Sequence, residues 1–186
     1  MVEHWSVRSI TRALLPILLV LTVLELVGGL TLGSFEATLL QYPTLLVLVP
    51  VMIGTAGNLG SILSARMSTA FHLGMLSFDP TDERLLGNTI TTVLLAVSVF
   101  PVVGAGGWAI ITVTDDPQLS VGMVVTVALA SGLILACLAI LVTVVATYAA
   151  YRFELDPDDV VIPVVTNVCD VLGVLVLFAV VQLLIP

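Results

Sequence analysis

The sequence predicts an all-α polytopic membrane protein that crosses the bilayer five times. Three observations carry that expectation. Hydrophobic residues make up 59% of the 186-residue chain and charged residues only 10%, whereas a soluble domain averages about a quarter charged. The mean hydropathy is +1.23. The apolar residues fall into five long runs separated by short, polar, turn-forming connectors. No polar block is long enough to form a second domain, so residues 1–186 read as one transmembrane domain.

The first run spans about 10–32. Arg8 and Arg12 precede it, as in a signal peptide, but the run is long and no small-residue cleavage site follows, so it reads as a retained helix. The second run, about 39–73, exceeds one simple span of ~20 residues. It is interrupted by "GTAGNLGS", Gly54 to Ser61, and is expected to be broken there. The third, fourth and fifth runs cover about 85–113, 119–151 and 160–185. The connectors "SFDPTDER", "TDDPQ" and "RFELDPDD" carry the Asp-Pro and acidic signals of turns and helix starts.

Orientation follows from arginine placement. With a cytosolic N-terminus, five spans put the C-terminus outside. Arg8, Arg12, Arg84 and Arg152 then lie inside, and Arg66 sits near the inner end of the second span. The outer loops, around Glu36 and around Asp115 and Asp116, contain no Arg or Lys. An odd span count leaves no equal inverted halves within one chain. A dimer with its pathway near the symmetry axis is the expected assembly.

The formal charge is −8 and the chain has no Lys. So little positive charge argues against nucleic-acid binding. Cys137 and Cys169 lie inside apolar runs without metal-type spacing, and read as small buried hydrophobes.

Asp170 is the first candidate functional residue. It lies eleven residues beyond Asp159, the last loop carboxylate. That rise is roughly 17 Å, so Asp170 sits near the middle of a hydrocarbon core about 30 Å thick. An aspartate at a helix centre costs about 3 kcal/mol on insertion scales. It should therefore face protein or water. Thr166, Asn167, Gly173 and Pro163 share its stripe at helical spacing, while Val168, Val171, Leu172 and Leu175 form the opposite side. The bland reading is helix glue, which Asn or Thr would supply at less cost.

The second feature is "PVMIGTAGNLGSILSAR", Pro50 to Arg66, with Gly54, Gly57 and Gly60 around Asn58. Glycines let backbones approach closely, or let a helix unwind and offer carbonyls. A small-residue packing seam and a pore lining are both open readings. Third, Asp156, Asp158 and Asp159 in "ELDPDD" could gather cations at the inner mouth. Their ordinary role is to start a helix, and "FDPTDER" reads the same way. Glu25 interrupts the first span and either faces the same pathway or snorkels outward. His72 reads as interfacial rather than a ligand. No H-E-x-x-H, G-x-S-x-G or phosphate-binding loop occurs, so the chain does not read as an enzyme.

"VPVMIGTAGNLGSILSAR" and "DPDDVVIPVVTNVCDVLG" together resemble the paired motifs of the MgtE-type magnesium transport family, in its membrane domain. The resemblance covers nearly the whole chain. It implies a dimeric pore lined by the second and fifth spans. It also implies a central Mg²⁺ ligand at Asp170 and Gly-Asn positions at Gly57 and Asn58, with Thr166 and Asn167 beside them. Bacterial members carry large cytosolic regulatory domains ahead of the membrane domain, whereas this chain has about nine residues before its first span and looks like a free-standing half. A glutamine common after the Gly-Asn motif is replaced by Ile62 and Leu63.

The expected function is Mg²⁺ transport, the ion being cargo rather than a catalytic cofactor. The expected assembly is a homodimer, or a heterodimer with a related half-transporter, in contact with lipid in the plasma or inner membrane. Two alternatives remain at this point: another cation (Co²⁺, Mn²⁺, or a Na⁺- or H⁺-coupled exporter), and a non-transporting partner subunit.

Overall fold

The computed structural model describes residues 7–75, 79 and 81–185. The described residues form six helices and no strand: α1 (Val7–Ser34), α2 (Glu36–Gln41), α3 (Pro43–His72), α4 (Glu83–Thr114), α5 (Val121–Arg152) and α6 (Pro157–Leu184). Five of them, α1 and α3 to α6, are long and apolar enough to cross a membrane. Together with the composition this makes the chain a multi-pass membrane protein.

Local chemistry fixes the helix ends. Asp82 caps α4 by accepting hydrogen bonds from the backbone N–H groups of Arg84 and Leu85, at 2.8 and 3.0 Å. Ser120 caps α5 through Met123 N–H at 3.3 Å. Asp156 caps α6 through Asp158 N–H at 3.0 Å, with Pro157 in the first turn. The helix-start reading of "FDPTDER" holds at Asp82, while its Phe78 and Pro80 lie outside the described residues. At its other end α3 closes with Gly74 at φ +63° and a Met75 N–H bond to the Ala70 carbonyl, 2.9 Å. This is a Schellman closure, in which a left-handed residue lets the chain turn back on orphan carbonyls.

The expected break in the second run is not at the glycines. Helix α3 continues unbroken through Gly54–Ser61. An unwound segment in hydrocarbon would leave backbone polar groups without partners, and a continuous helix avoids that cost. The run divides instead at Tyr42–Pro43. Proline disfavours the helical region for the residue before it, and Tyr42 sits at φ −126°, ψ 82°. The short α2 therefore ends there and α3 begins on Pro43.

Helix α5 packs against α3, α4 and α6, and α3 packs against α4 and α6. Small residues set the closest crossings. A β-carbon on Gly104 would come within 2.9 Å of both the Ala128 side chain and the Val125 backbone. The Phe100 ring fills the space that a β-carbon on Gly132 would need. Cys169 is buried as expected, but Cys137 is exposed. It lies on a face of α5 that meets no other helix, and an apolar thiol is at ease against lipid.

Helix α1 stands apart. Among the described residues it touches only α2 and α6. Gly28 meets Val171, and seven residues further along both segments Phe35, just past the end of α1, stacks on Phe178, with ring centroids 4.0 Å apart. Equal steps in both chains make α1 and α6 parallel neighbours. Helices α1 and α3 both pack on α6 but, among the described residues, not on each other.

Candidate functional site

Helices α3 and α6 cross antiparallel through small residues. Gly173 lies against Ile53, Gly57 against Thr166, and Gly60 against Val165 and Cys169. Close approach places the polar atoms of the two helices side by side. Asp170 Oδ1 is 3.7 Å from the position a β-carbon would take on Gly57. The hydroxyls of Ser61 and Thr166 are 3.0 Å apart and share a hydrogen bond. Asn167 donates its side-chain amide to the Pro163 carbonyl at 2.9 Å, so its amide oxygen remains free to accept.

The stripe on α6 is not uniform. Pro163, Thr166, Asn167 and Asp170 are half-buried, while Gly173 is buried in the α3 contact. On α3, Gly54 and Asn58 are exposed, one helical turn apart, and Gly57 and Gly60 are buried. Gly54 has open space around its α-carbon. The three glycines thus divide: Gly57 borders Asp170, Gly60 is a helix contact, and Gly54 faces outward. Thr166 and Asp170 stand against Gly57, and the exposed Asn58 follows Gly57 on α3; these residues make up an α3–α6 polar surface.

Glu25 is exposed on α1. An open cavity of about 530 Å³ runs beside it, lined by Thr22, Glu25, Leu26, Gly29 and Leu30.

The acidic residues at the start of α6 form a separate group. His72 Nε2 lies 3.7 Å from Asp156 Oδ1. His72 Nδ1 is 3.0 Å from the Ser68 carbonyl, which orients the ring. The ligand atoms of His72, Asp156 and Asp158 all lie within 4.8 Å of one another, on exposed side chains. Asp159 is exposed in the same first turn. His72 is thus at the helix end, as expected, but joined to the acidic cluster, a pairing that sequence spacing alone does not reveal. The Ser61–Thr166 bond was equally hidden, since it joins residues 105 apart.

Comparison with known proteins agrees with this architecture. Residues 49–180 match the family model MgtE, described as a divalent cation transporter. The chain is also similar to rat (Rattus norvegicus) solute carrier family 41 member 3, at 25% identity over 190 residues. That match covers 92% of this chain but 38% of the relative, so the chain spans well under half of that protein's length. The family match runs from the end of the first turns of α3 to the last turns of α6 and includes every residue of the α3–α6 polar surface. The chain belongs to the MgtE family of divalent cation transporters.

Proposed function

We propose that this chain carries a divalent cation, Mg²⁺ foremost, across the membrane along a pathway at a dimer axis, lined by α3 and α6. The observation that carries the reading is Asp170. It is a half-buried carboxylate at mid-span, on the surface shared with Asn58 and Thr166 and bordered by Gly57. A carboxylate at that depth is costly unless it serves a charge.

Mg²⁺ demands near-octahedral oxygen geometry and dehydrates reluctantly, so it is commonly held by one or two carboxylates while keeping several waters. Two Asp170 carboxylates related by symmetry supply that charge. The hydroxyl of Thr166 and the amide oxygens of Asn58 and Asn167 suit the ion's water shell. Asp156, Asp158 and Asp159 gather cations at the arginine-bearing end, an effect that salt screens. In this reading the N-terminus is cytosolic, the C-terminus is outside, and the protein resides in the cell membrane.

The test is Mg²⁺ flux in proteoliposomes. Asp170→Asn is expected to keep the assembly and abolish most flux, and Asp170→Ala to do the same. Unchanged flux in an intact assembly would sink the role given to Asp170. Competition among Mg²⁺, Mn²⁺ and Co²⁺ in the same assay decides which ion is preferred.

A further inference from the structure

Buried hydroxyls gather where the C-terminal halves of α3 and α5 face each other. Ser64 and Ser68 on α3, and Thr143 and Thr147 on α5, are each at most 2% exposed. One contact sets their register: a β-carbon on Gly60 would lie 3.7 Å from the Ala139 side chain. Helix α4 runs back between α3 and α5, so those two helices point the same way. One turn beyond Gly60 and Ala139 come Ser64 and Thr143, and one turn further come Ser68 and Thr147.

These hydroxyls differ in how they are satisfied. A Ser or Thr inside a helix can donate to the carbonyl four residues back. Thr69, Thr92 and Thr126 do so, and Thr147 bonds the Thr143 carbonyl in this way at 2.8 Å. Ser68 lies 3.4 Å from His72 Nδ1. Ser64 and Thr143 do neither: both hydroxyls are buried and have no hydrogen-bond partner. A buried hydroxyl left unpaired is costly, and two of them at one level of adjoining helices share a remedy. A buried water is held by two to four polar groups. With two bonds of about 2.8 Å it joins hydroxyls up to roughly 5.5 Å apart, beyond the reach of a direct bond. The Thr147 hydroxyl keeps lone pairs free to accept a further bond.

We propose that Ser64 and Thr143 bind an ordered water that bridges α3 and α5. Ser68 and Thr147 continue the polar seam by one turn, and the exposed His72 stands one turn beyond Ser68, so water enters from that end of the bundle. Helix α3 also carries Gly57, which borders Asp170. The bridge thus anchors to α5 the helix against which Asp170 stands. The water site is separate from Asp170 and holds whether or not that carboxylate binds a cation.

The purified full-length chain supplies the test. A crystal or electron cryomicroscopy structure that resolves waters is expected to show one within about 3.2 Å of both hydroxyls. Ser64 and Thr143 bonded directly to each other, or each turned to its own helix carbonyl with no water between them, overturns the proposal. Thermal unfolding then separates a bridging water from a bystander. Ser64→Ala and Thr143→Val each remove one partner and are expected to lower the unfolding midpoint by about 2–4 °C. The double variant should fall no further than the worse single one, because a bridge already broken cannot be broken again. If the two hydroxyls act independently, the losses add. If they are unpaired in the native protein, each apolar replacement leaves the midpoint unchanged or raises it. Either result overturns the bridge. Should a variant fail to assemble, the wild-type structure decides alone: a shared water supports the site and a dry seam overturns it.

Discussion

Thr166 joins packing and polarity at one position. Its methyl group lies against Gly57 and its hydroxyl bonds Ser61 across the α3–α6 crossing. Interhelical hydrogen bonds in membranes contribute about 0.6 kcal/mol on average, because the separated helices also find partners. Thr166→Val keeps the shape and deletes the hydroxyl. It is expected to cost about 0.6 kcal/mol in detergent unfolding and to raise the half-saturating Mg²⁺ concentration, while Thr166→Ser stays near wild type. A valine variant with wild-type affinity would confine Thr166 to a structural role. Asp170 itself was legible from its position eleven residues past the last loop acid. For Glu25 the sequence left two readings open, facing the same pathway or snorkelling outward, because sequence spacing cannot tell which stripe of α1 turns toward which neighbour.

At the scale of elements, glycine spacing matters through what stands opposite. Gly132 and Gly106 look alike in sequence, yet Phe100 fills the space beside one while open space surrounds the other. Gly132→Ala is expected to destabilise by about 1–3 kcal/mol through overpacking. Gly106→Ala should be neutral or stabilising by up to about 1 kcal/mol, since alanine is the better helix former. Thermal unfolding of the two purified variants checks the contrast, and equal behaviour would contradict the α4–α5 crossing. The same logic explains the second span. Its glycines suggested a break, but α6 lies close enough to use Gly57 and Gly60 as contacts, and the chain turns at Tyr42–Pro43 instead. The run boundaries were readable to within a few residues because Asp82, Ser120 and Asp156 cap helices by local chemistry alone.

At the scale of the whole molecule, one protomer leaves its polar surface open. Asn58 is exposed and Asp170 half-buried on α3 and α6, a placement that lipid would penalise. A second copy across that face would enclose it. The purified transporter is therefore expected to have twice the 19.5-kDa chain mass by native mass spectrometry. A homodimer that transports alone removes the heterodimer reading. Purified chain that moves no ion until a different half is added would replace it.

The sequence by itself determined that the chain lives in a membrane, how many times its apolar runs can cross, where most helices start, and that a carboxylate sits at mid-span. Those properties depend on composition, run length and neighbouring residues. Tertiary structure alone decided that α3 stays helical through its glycines, that Ser61 meets Thr166, and that α1 packs on α6 where Gly28 meets Val171. Each of these depends on which helix face meets which, and that is set by the fit of side chains into small-residue gaps between segments far apart in the chain.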